Sequence, residues 1–199
     1  MSSALAIACV TAVLRNLLEN GLVERGVTGS VASDIVISTL PPDRITSGAD
    51  ERPQLNLFLY QITPNISLRP TSRLVSQGES RQSNPALALD LHYLLTAFGG
   101  QDFQIEILLG YAIQQLHQTS VLRRETILAA LRSLAPEDGH EASPQAVALA
   151  GASLAEQLDQ ITLCPQFLST EEMSKLWSAF QARYRPSIAY KASMALIEA

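Results

Sequence analysis

The chain has 199 residues, of which 47% are hydrophobic, enough to bury the core of a single domain. Its formal net charge of −5 argues against nucleic acid as a partner, because phosphate binding needs clustered positive charge. Charged residues make up only 17% of the chain, below the usual quarter, which indicates surface that other proteins bury. We therefore expect one domain over residues 1–199 with protein partners.

The first residues predict an amphipathic helix. Ile7, Val10 and Leu14 recur at spacings of three and four, and Gly21 is typical of a residue that ends a helix. The apolar run over residues 4–14 is about half the length that a membrane span needs, and no basic segment precedes it. We expect neither a signal peptide nor direct membrane insertion.

Three strands are predicted in the first half of the chain, over residues 34–39, 54–63 and 86–98. The leucine content of the 86–98 segment also allows a helix, but its run into Gly99 and Gly100 favours the strand. Both alternating faces of the 54–63 segment are largely apolar, which predicts an interior strand. A polar loop over residues 41–53 separates the first two strands. The chain contains no heptad pattern and no internal repeat.

A long aperiodic segment over residues 65–84 carries three arginines, Arg69, Arg73 and Arg81. Loops of this length in compact domains are usually functional or disordered. We predict that these arginines form a partner-binding surface, with a solvated flexible loop as the alternative.

The second half of the chain alternates helices and strands. Helices are predicted over residues 103–117 and 122–134, and alanine content favours another over residues 145–157 after an acidic loop. Strands are predicted over residues 159–164 and 184–197. Between them, Ser169 and Glu172 have the spacing of a capping box that opens a helix ending at Phe180. This order predicts an α/β or α+β fold with a single mixed, largely antiparallel sheet and helices packed on it.

The chain lacks the short motifs of the common enzyme classes: there is no Walker loop, no dinucleotide-binding glycine pattern, no zinc-binding helix motif and no nucleophile elbow. Asp90 and His92 lie two apart on a predicted strand and therefore on one face, and an acid that orients an imidazole is the beginning of a catalytic pair. The alternative is that both side chains satisfy hydrogen bonds at a sheet surface. Because no nucleophile motif accompanies them, we expect no catalytic residue and no enzyme activity.

No metal or cofactor is expected either. Cys9, Cys164, His117 and His140 show no spacing typical of metal ligands. A domain of this size does not need a disulfide, so both cysteines are expected to be free thiols in a reducing cytosol.

The last predicted helix carries two aromatic candidates. Trp177 and Tyr184 flank its end, where they either anchor an interface or belong to the core. Tyr184 and Tyr190, in the last predicted strand, are included with the three arginines as candidate interface residues. Glu171 and Glu172 are adjacent in the first helical turn, which indicates capping rather than acid–base chemistry.

Four stretches of the sequence carry a family resemblance. In single-letter code they read LNLFLYQITPN from residue 55, LDLHYLLTAFG from residue 89, LGYA from residue 109, and LSTEEMSKLW from residue 168, the last running into YRPSIAY from residue 184. In this order and spacing they resemble the N-terminal domain of the cap, or tail-terminator, proteins of phage-tail-like contractile injection systems of the antifeeding-prophage and virulence-cassette type. Residues 136–153 match nothing in that pattern.

The resemblance implies a structural protein with a tail-terminator-like fold. It implies a homohexameric ring, assembled in the cytoplasm, that sits on the last layer of the inner tube, ends tube growth and anchors the contractile sheath. Tube and sheath proteins are the implied partners, and the last strand, over residues 184–197, is expected to present or cover a sheet edge that a sheath strand can join. The alternatives are an adaptor or baseplate-like assembly subunit of the same particle, and a small-molecule enzyme that uses Asp90 and His92.

Overall fold

A computed structural model describes residues 5–24, 26, 34–45, 48, 51–66, 87–133 and 158–196. Within these ranges the elements are, in chain order, α1 (Ala6–Glu24), β1 (Val36–Ser38), a 3-10 turn (Pro42–Arg44), β2 (Gln54–Pro64), β3 (Leu87–Phe98), α2 (Gln104–Gln118), β4 (Val121–Arg123), α3 (Arg124–Ser133), β5 (Leu158–Gln166), α4 (Thr170–Ala179) and β6 (Ser187–Leu196). The helix predicted over residues 145–157 lies outside the described residues, as does nearly all of the 65–84 segment.

The strands form one six-stranded sheet in the order β1-β2-β3-β6-β5-β4. β1 pairs with β2 in parallel, and every other pair is antiparallel, which confirms the predicted α+β fold with a mixed, largely antiparallel sheet. β2 lies inside the sheet, as its two apolar faces predicted. Within the described sheet, β1 and β4 are the edge strands.

The prediction that the last strand presents or covers a sheet edge is wrong. β6 pairs with β3 on one side and with β5 on the other, so both of its edges are already hydrogen-bonded. The residues of β6 explain this position, because Ala189 and Ala192 are buried on opposite faces of the sheet. A strand with small buried side chains on both faces is suited to the interior of a sheet.

The main core lies between one face of the sheet and the three helices α1, α2 and α3. Alternate residues of β3, namely Leu91, Tyr93 and Leu95, are fully buried against this layer. Burial of each such large side chain stabilises the fold by roughly 1.5–3 kcal/mol. The helices contribute the residues spaced at three and four that the sequence indicated, such as Val10 and Leu14 of α1.

α1 continues three residues beyond Gly21, so the predicted helix end at Gly21 is wrong. A Cβ atom at Gly21 would lie 2.4 Å from Cδ of Gln115, which belongs to α2. The glycine therefore permits the close approach of α1 and α2, and it does not terminate the helix.

By length and composition α1 is also apolar enough to cross a membrane, with a mean hydropathy of 1.3 over Ala6–Val23, but half of this window is buried inside the fold.

Both cysteines are free thiols. Cys9 on α1 is buried, and this burial raises its pKa to about 11. Cys164 on β5 is exposed.

α4 covers part of the opposite face of the sheet. Met173 and Trp177 of α4 pack on Leu94, Phe98 and Ala189 in a second, smaller core. Trp177 is buried, which favours the core interpretation of this residue over an interface anchor.

The predicted capping box at the start of α4 is confirmed. The Ser169 hydroxyl accepts a hydrogen bond from the Glu172 amide at 3.2 Å, and the Glu172 carboxylate accepts one from the Ser169 amide at 2.8 Å. The Ser169 amide and the Ser169 hydroxyl both donate to the Glu172 carboxylate, and these two hydrogen bonds hold the pKa of Glu172 below its usual value.

One strand was not predicted. β4 has only three residues and lies between α2 and α3, where the sequence indicated two helices with a short connection. Leu122 is buried between two exposed neighbours, as in a strand. Three residues of alternating burial are too few to be recognised as a strand from the sequence.

Candidate interaction surfaces

Asp90 and His92 lie on the sheet face that α4 partly covers, at the end that the helix leaves open. The His92 ring contacts two other strands: its Nδ1 lies 2.7 Å from Oε1 of Gln166, and its Nε2 lies 2.8 Å from the Thr63 hydroxyl. Because an amide oxygen only accepts, Nδ1 donates to Gln166. The Thr63 hydroxyl can donate to a neutral Nε2 or accept from a protonated one. A register shift in β2 between Leu59 and Gln61 places Thr63 on this face.

Asp90 has a separate set of partners. Its Oδ1 accepts hydrogen bonds from Nδ2 of the Asn65 side chain at 2.7 Å and from the Ser193 hydroxyl at 2.5 Å. Lys191 Nζ lies 3.4 Å from its Oδ2. Burial alone would raise the pKa of Asp90, but these hydrogen bonds and the Lys191 charge hold it below the ordinary value. The two side chains therefore make separate contacts, as in the alternative in which both satisfy hydrogen bonds at a sheet surface.

The predicted interface residues fall in different environments. Tyr190 is 3% exposed and belongs to the main core, so its side chain offers no outward surface. Tyr184 is 59% exposed, and its ring centroid lies 6.0 Å from that of Trp177. Arg69, Arg73 and Arg81 lie outside the described residues, and so does His140. The described residues contain no group of three His, Cys, Asp or Glu side chains that could hold a metal ion.

Sequence reasoning missed a buried carboxylate at one end of the sheet. The Glu51 side chain is 3% exposed and forms an ion pair with Arg185, with Oε2 at 2.5 Å from Nη2. Its Oε1 accepts a hydrogen bond from the Gly99 amide at 2.9 Å, and its Oε2 accepts a longer one from Gly48. The Arg185 guanidinium also lies 5.8 Å from the centroid of the Phe98 ring. Glu51 sits in a polar loop without a motif, so only the tertiary contacts identify it.

A cavity of about 240 Å³ opens beside this ion pair. We call it the Phe98 pocket; its lining residues are Pro42, Asp43, Ile45, Phe98, Gln181, Ala182, Arg183 and Arg185. Phe98 and Ile45 are buried, whereas Asp43 and Arg183 are exposed and make no ion pair with any described residue. The pocket is smaller than the roughly 300–1,000 Å³ of typical small-molecule sites. Its size and mixed lining suit a single large side chain.

Two phenylalanines are unusually exposed. Phe167, just after β5, is 91% exposed, and Phe103, just before α2, is 73% exposed with a left-handed backbone at φ 67°. An exposed large apolar side chain is more informative than a buried one, because interfaces use such residues as anchors.

The chain is similar to known proteins in sequence and in structure. No curated protein matches the sequence. Two solved structures are similar: the PVC sheath/tube terminator of an extracellular contractile injection system in the extended state, with 16% identity and a TM-score of 0.46, and the tube-terminating cap of the anti-feeding prophage, with 16% identity and a TM-score of 0.49. The matches cover 89% and 90% of this chain and 56% and 54% of those chains, so the chain spans about half the length of these proteins.

The sequence also matches the family model of the Pvc16 N-terminal domain over residues 9–199. This confirms the family that the four conspicuous stretches resemble, and the chain belongs to the Pvc16 N-terminal domain family.

Proposed function

We propose that the chain is the capping part of a contractile injection system, and that it forms a ring on the last layer of the inner tube. There it ends tube growth and anchors the end of the sheath. The observation that carries this proposal is family membership across residues 9–199, nearly the whole chain. The stretches that resemble cap proteins include most of the interior strands β2 and β3 and the capped helix α4.

The chemistry of the described residues supports a structural role without catalysis. Asp90 and His92 bind different partners across the sheet. The Phe98 pocket is too small for a typical metabolite, and on one side it is lined by Arg185, which is already ion-paired with Glu51, rather than by an activated nucleophile. Function then lies in protein surfaces, as expected for a subunit with few charges.

The partners in this proposal are further copies of the chain in a homohexamer, the inner tube protein and the contractile sheath protein. A closed ring needs heterologous contacts, in which different surfaces of neighbouring subunits meet. The edge strand β1 and the edge strand β4 each have one side unpaired within the described sheet, which suits strand addition by a sheath segment. Tyr184, together with Arg69, Arg73 and Arg81, remains a proposed interface residue. Assembly takes place in the cytoplasm.

The test is electron cryomicroscopy of particles assembled with and without this chain. We expect a six-fold cap at the end distal to the baseplate, and tubes of fixed length, only when the chain is present. Particles without it should carry long or ragged tubes, and restoring the gene should restore the ends. Unchanged tube ends, or density for the chain at another position, would contradict capping and indicate an adaptor subunit.

A further inference from the structure

The exposed side chain of Phe167 and the Phe98 pocket lie beyond opposite ends of α4. Phe167 precedes the first residue of α4 by three positions, and Gln181 and Arg183 of the pocket follow its last residue. A ten-residue helix is about 15 Å long, so the two features are well separated on one subunit. An anchor at one end and a receptor at the other is the arrangement that head-to-tail association requires.

Phe167 is held rigidly although its own ring is in solvent. The residue before it, Gln166, is fixed by the hydrogen bond to the His92 ring. The residue after it, Leu168, packs on the second core, and Ser169 is tied into the capping box. An aromatic side chain presented by fixed neighbours loses little freedom on binding, which favours a role as an interface anchor.

The Phe98 pocket is equally well formed before any partner arrives. Its apolar floor is made of Phe98 and Ile45 from the structured core. Its Arg185 side is fixed by the buried Glu51 carboxylate. A pocket of about 240 Å³ with an aromatic floor and a guanidinium at its side is suited to one inserted aromatic ring.

Each of the two features carries exposed charge of both signs. The first turn of α4, close behind Phe167, carries Glu171, which is ion-paired with Lys175, and Glu172 of the capping box. The rim of the Phe98 pocket carries Arg183 and Asp43, and neither forms an ion pair with any described residue. When a Phe167 ring enters the pocket of another copy, the favoured orientation of the two subunits is the one that brings the Glu172 carboxylate towards Arg183 and away from Asp43.

We propose that Phe167 of one copy inserts into the Phe98 pocket of the next copy, and that this head-to-tail contact closes the ring. The contact is heterologous, because two different surfaces meet. Such a contact forms a closed ring when the rotation from one subunit to the next, repeated around the ring, returns to the first subunit. The inference rests on the proposed cap function for the ring itself, and it identifies the surfaces that meet. In this arrangement His92 has a positioning role, because it holds Gln166 and thereby the direction of Phe167.

The direct test is photo-crosslinking in assembled particles. A chain with p-benzoylphenylalanine in place of Phe167 keeps the aromatic ring, and mixing it with isotope-labelled chain distinguishes contacts between copies from contacts within one copy. We expect crosslinks from position 167 to Phe98, Gln181 or Ala182 of a second copy. The same photo-reactive residue in place of Phe103 is the control and should not reach these residues. Crosslinks from position 167 to tube or sheath protein, or none to the pocket, would overturn the proposal.

A second test compares variants of the two exposed phenylalanines. Phe167→Arg should weaken self-association at least about tenfold, measured by analytical ultracentrifugation or by ring occupancy on tube ends. Phe103→Arg should leave it unchanged. Ala182→Trp, which fills the Phe98 pocket with an indole ring, should weaken self-association to the same extent as Phe167→Arg. Circular dichroism checks that all three variants fold.

The two proposals fail in different ways. Rings on tube ends that persist in Phe167→Arg would overturn the contact while the cap function stands. Crosslinked rings that leave tube length unaltered would contradict the cap function and leave the contact established.

Discussion

At the scale of single residues, Glu51 joins its own loop to two segments that are distant in sequence. Its carboxylate binds Arg185, the Gly99 amide and the Gly48 amide while almost fully excluded from water. Removing one partner of a buried ion pair leaves the other charge uncompensated, which is costly, whereas an exposed pair contributes little. Glu51 therefore stabilises both the end of the sheet and the wall of the Phe98 pocket.

We predict that Glu51→Gln lowers the free energy of unfolding by about 3 kcal/mol, because the Arg185 guanidinium loses its buried counter-charge. The matched control is Glu171→Gln, which removes an exposed pair with Lys175 and should cost less than about 1 kcal/mol. Urea denaturation of the two variants measures both effects. Equal, small losses would show that the Glu51 pair is not structurally important.

Asp90 gives a prediction about pH. Its pKa is lowered in the folded chain by Ser193, Asn65 and Lys191 despite its burial, so its ionised form stabilises the fold at pH values above its unfolded pKa of roughly 4. This contribution is lost as the pH falls through the lower, folded pKa. Asp90→Asn should therefore be less stable than the parent at pH 7, and the difference should shrink towards pH 3. Denaturation midpoints measured across this range test it, and a constant difference would contradict it.

The same residues show what a sequence can reveal of this surface. The strand period correctly places Asp90 and His92 on one face of β3. Their partners come from β2 and the residue that follows it, from β5 and from β6, at 25 to 103 positions away in the chain. Such pairings depend on strand order and register, which local periodicity does not encode.

At the scale of elements, the long periodic segments were predictable and the short or context-dependent features were not. β2, β3 and α4 follow their periodicity and capping signals closely. The end of α1 was mispredicted because a glycine is a local signal for termination, whereas Gly21 lies inside the helix, where an added Cβ would meet the Gln115 side chain. The interior position of β6 was missed because the hydrophobic pattern of a strand does not indicate which other strands pair with it.

A pair of glycine substitutions tests this explanation. Gly110 lies on an exposed position of α2 with no atom within 4 Å of an added Cβ, so Gly110→Ala should raise the free energy of unfolding by about 0.5–1 kcal/mol. Gly21→Ala adds the same helical preference but forces the Gln115 side chain to move, so it should give no gain or a net loss. Thermal denaturation of the two variants measures the difference. An equal gain at both positions would show that Gly21 is not needed for helix packing.

At the scale of the whole molecule, the sheet is covered unequally. Among the described residues, three helices bury one face, whereas α4 covers only part of the other, beside the hydrogen-bonded polar side chains around Asp90 and His92. The order of the predicted elements indicated the mixed, largely antiparallel sheet, and the four stretches indicated the family. The single domain with protein partners, expected from composition, stays a prediction. The Phe98 pocket was not predictable, because it is assembled from the 3-10 turn, the end of β3 and the segment after α4.

The most direct test of the proposed capping function is tube growth in vitro. Purified tube protein is allowed to polymerise with and without this chain at amounts far below one copy per tube subunit, and tube lengths are measured by negative-stain electron microscopy. A cap predicts that the chain binds tube ends and stops lengthening, so that mean length falls as its concentration rises. Tubes that grow to the same lengths with no chain at their ends would contradict the proposed function.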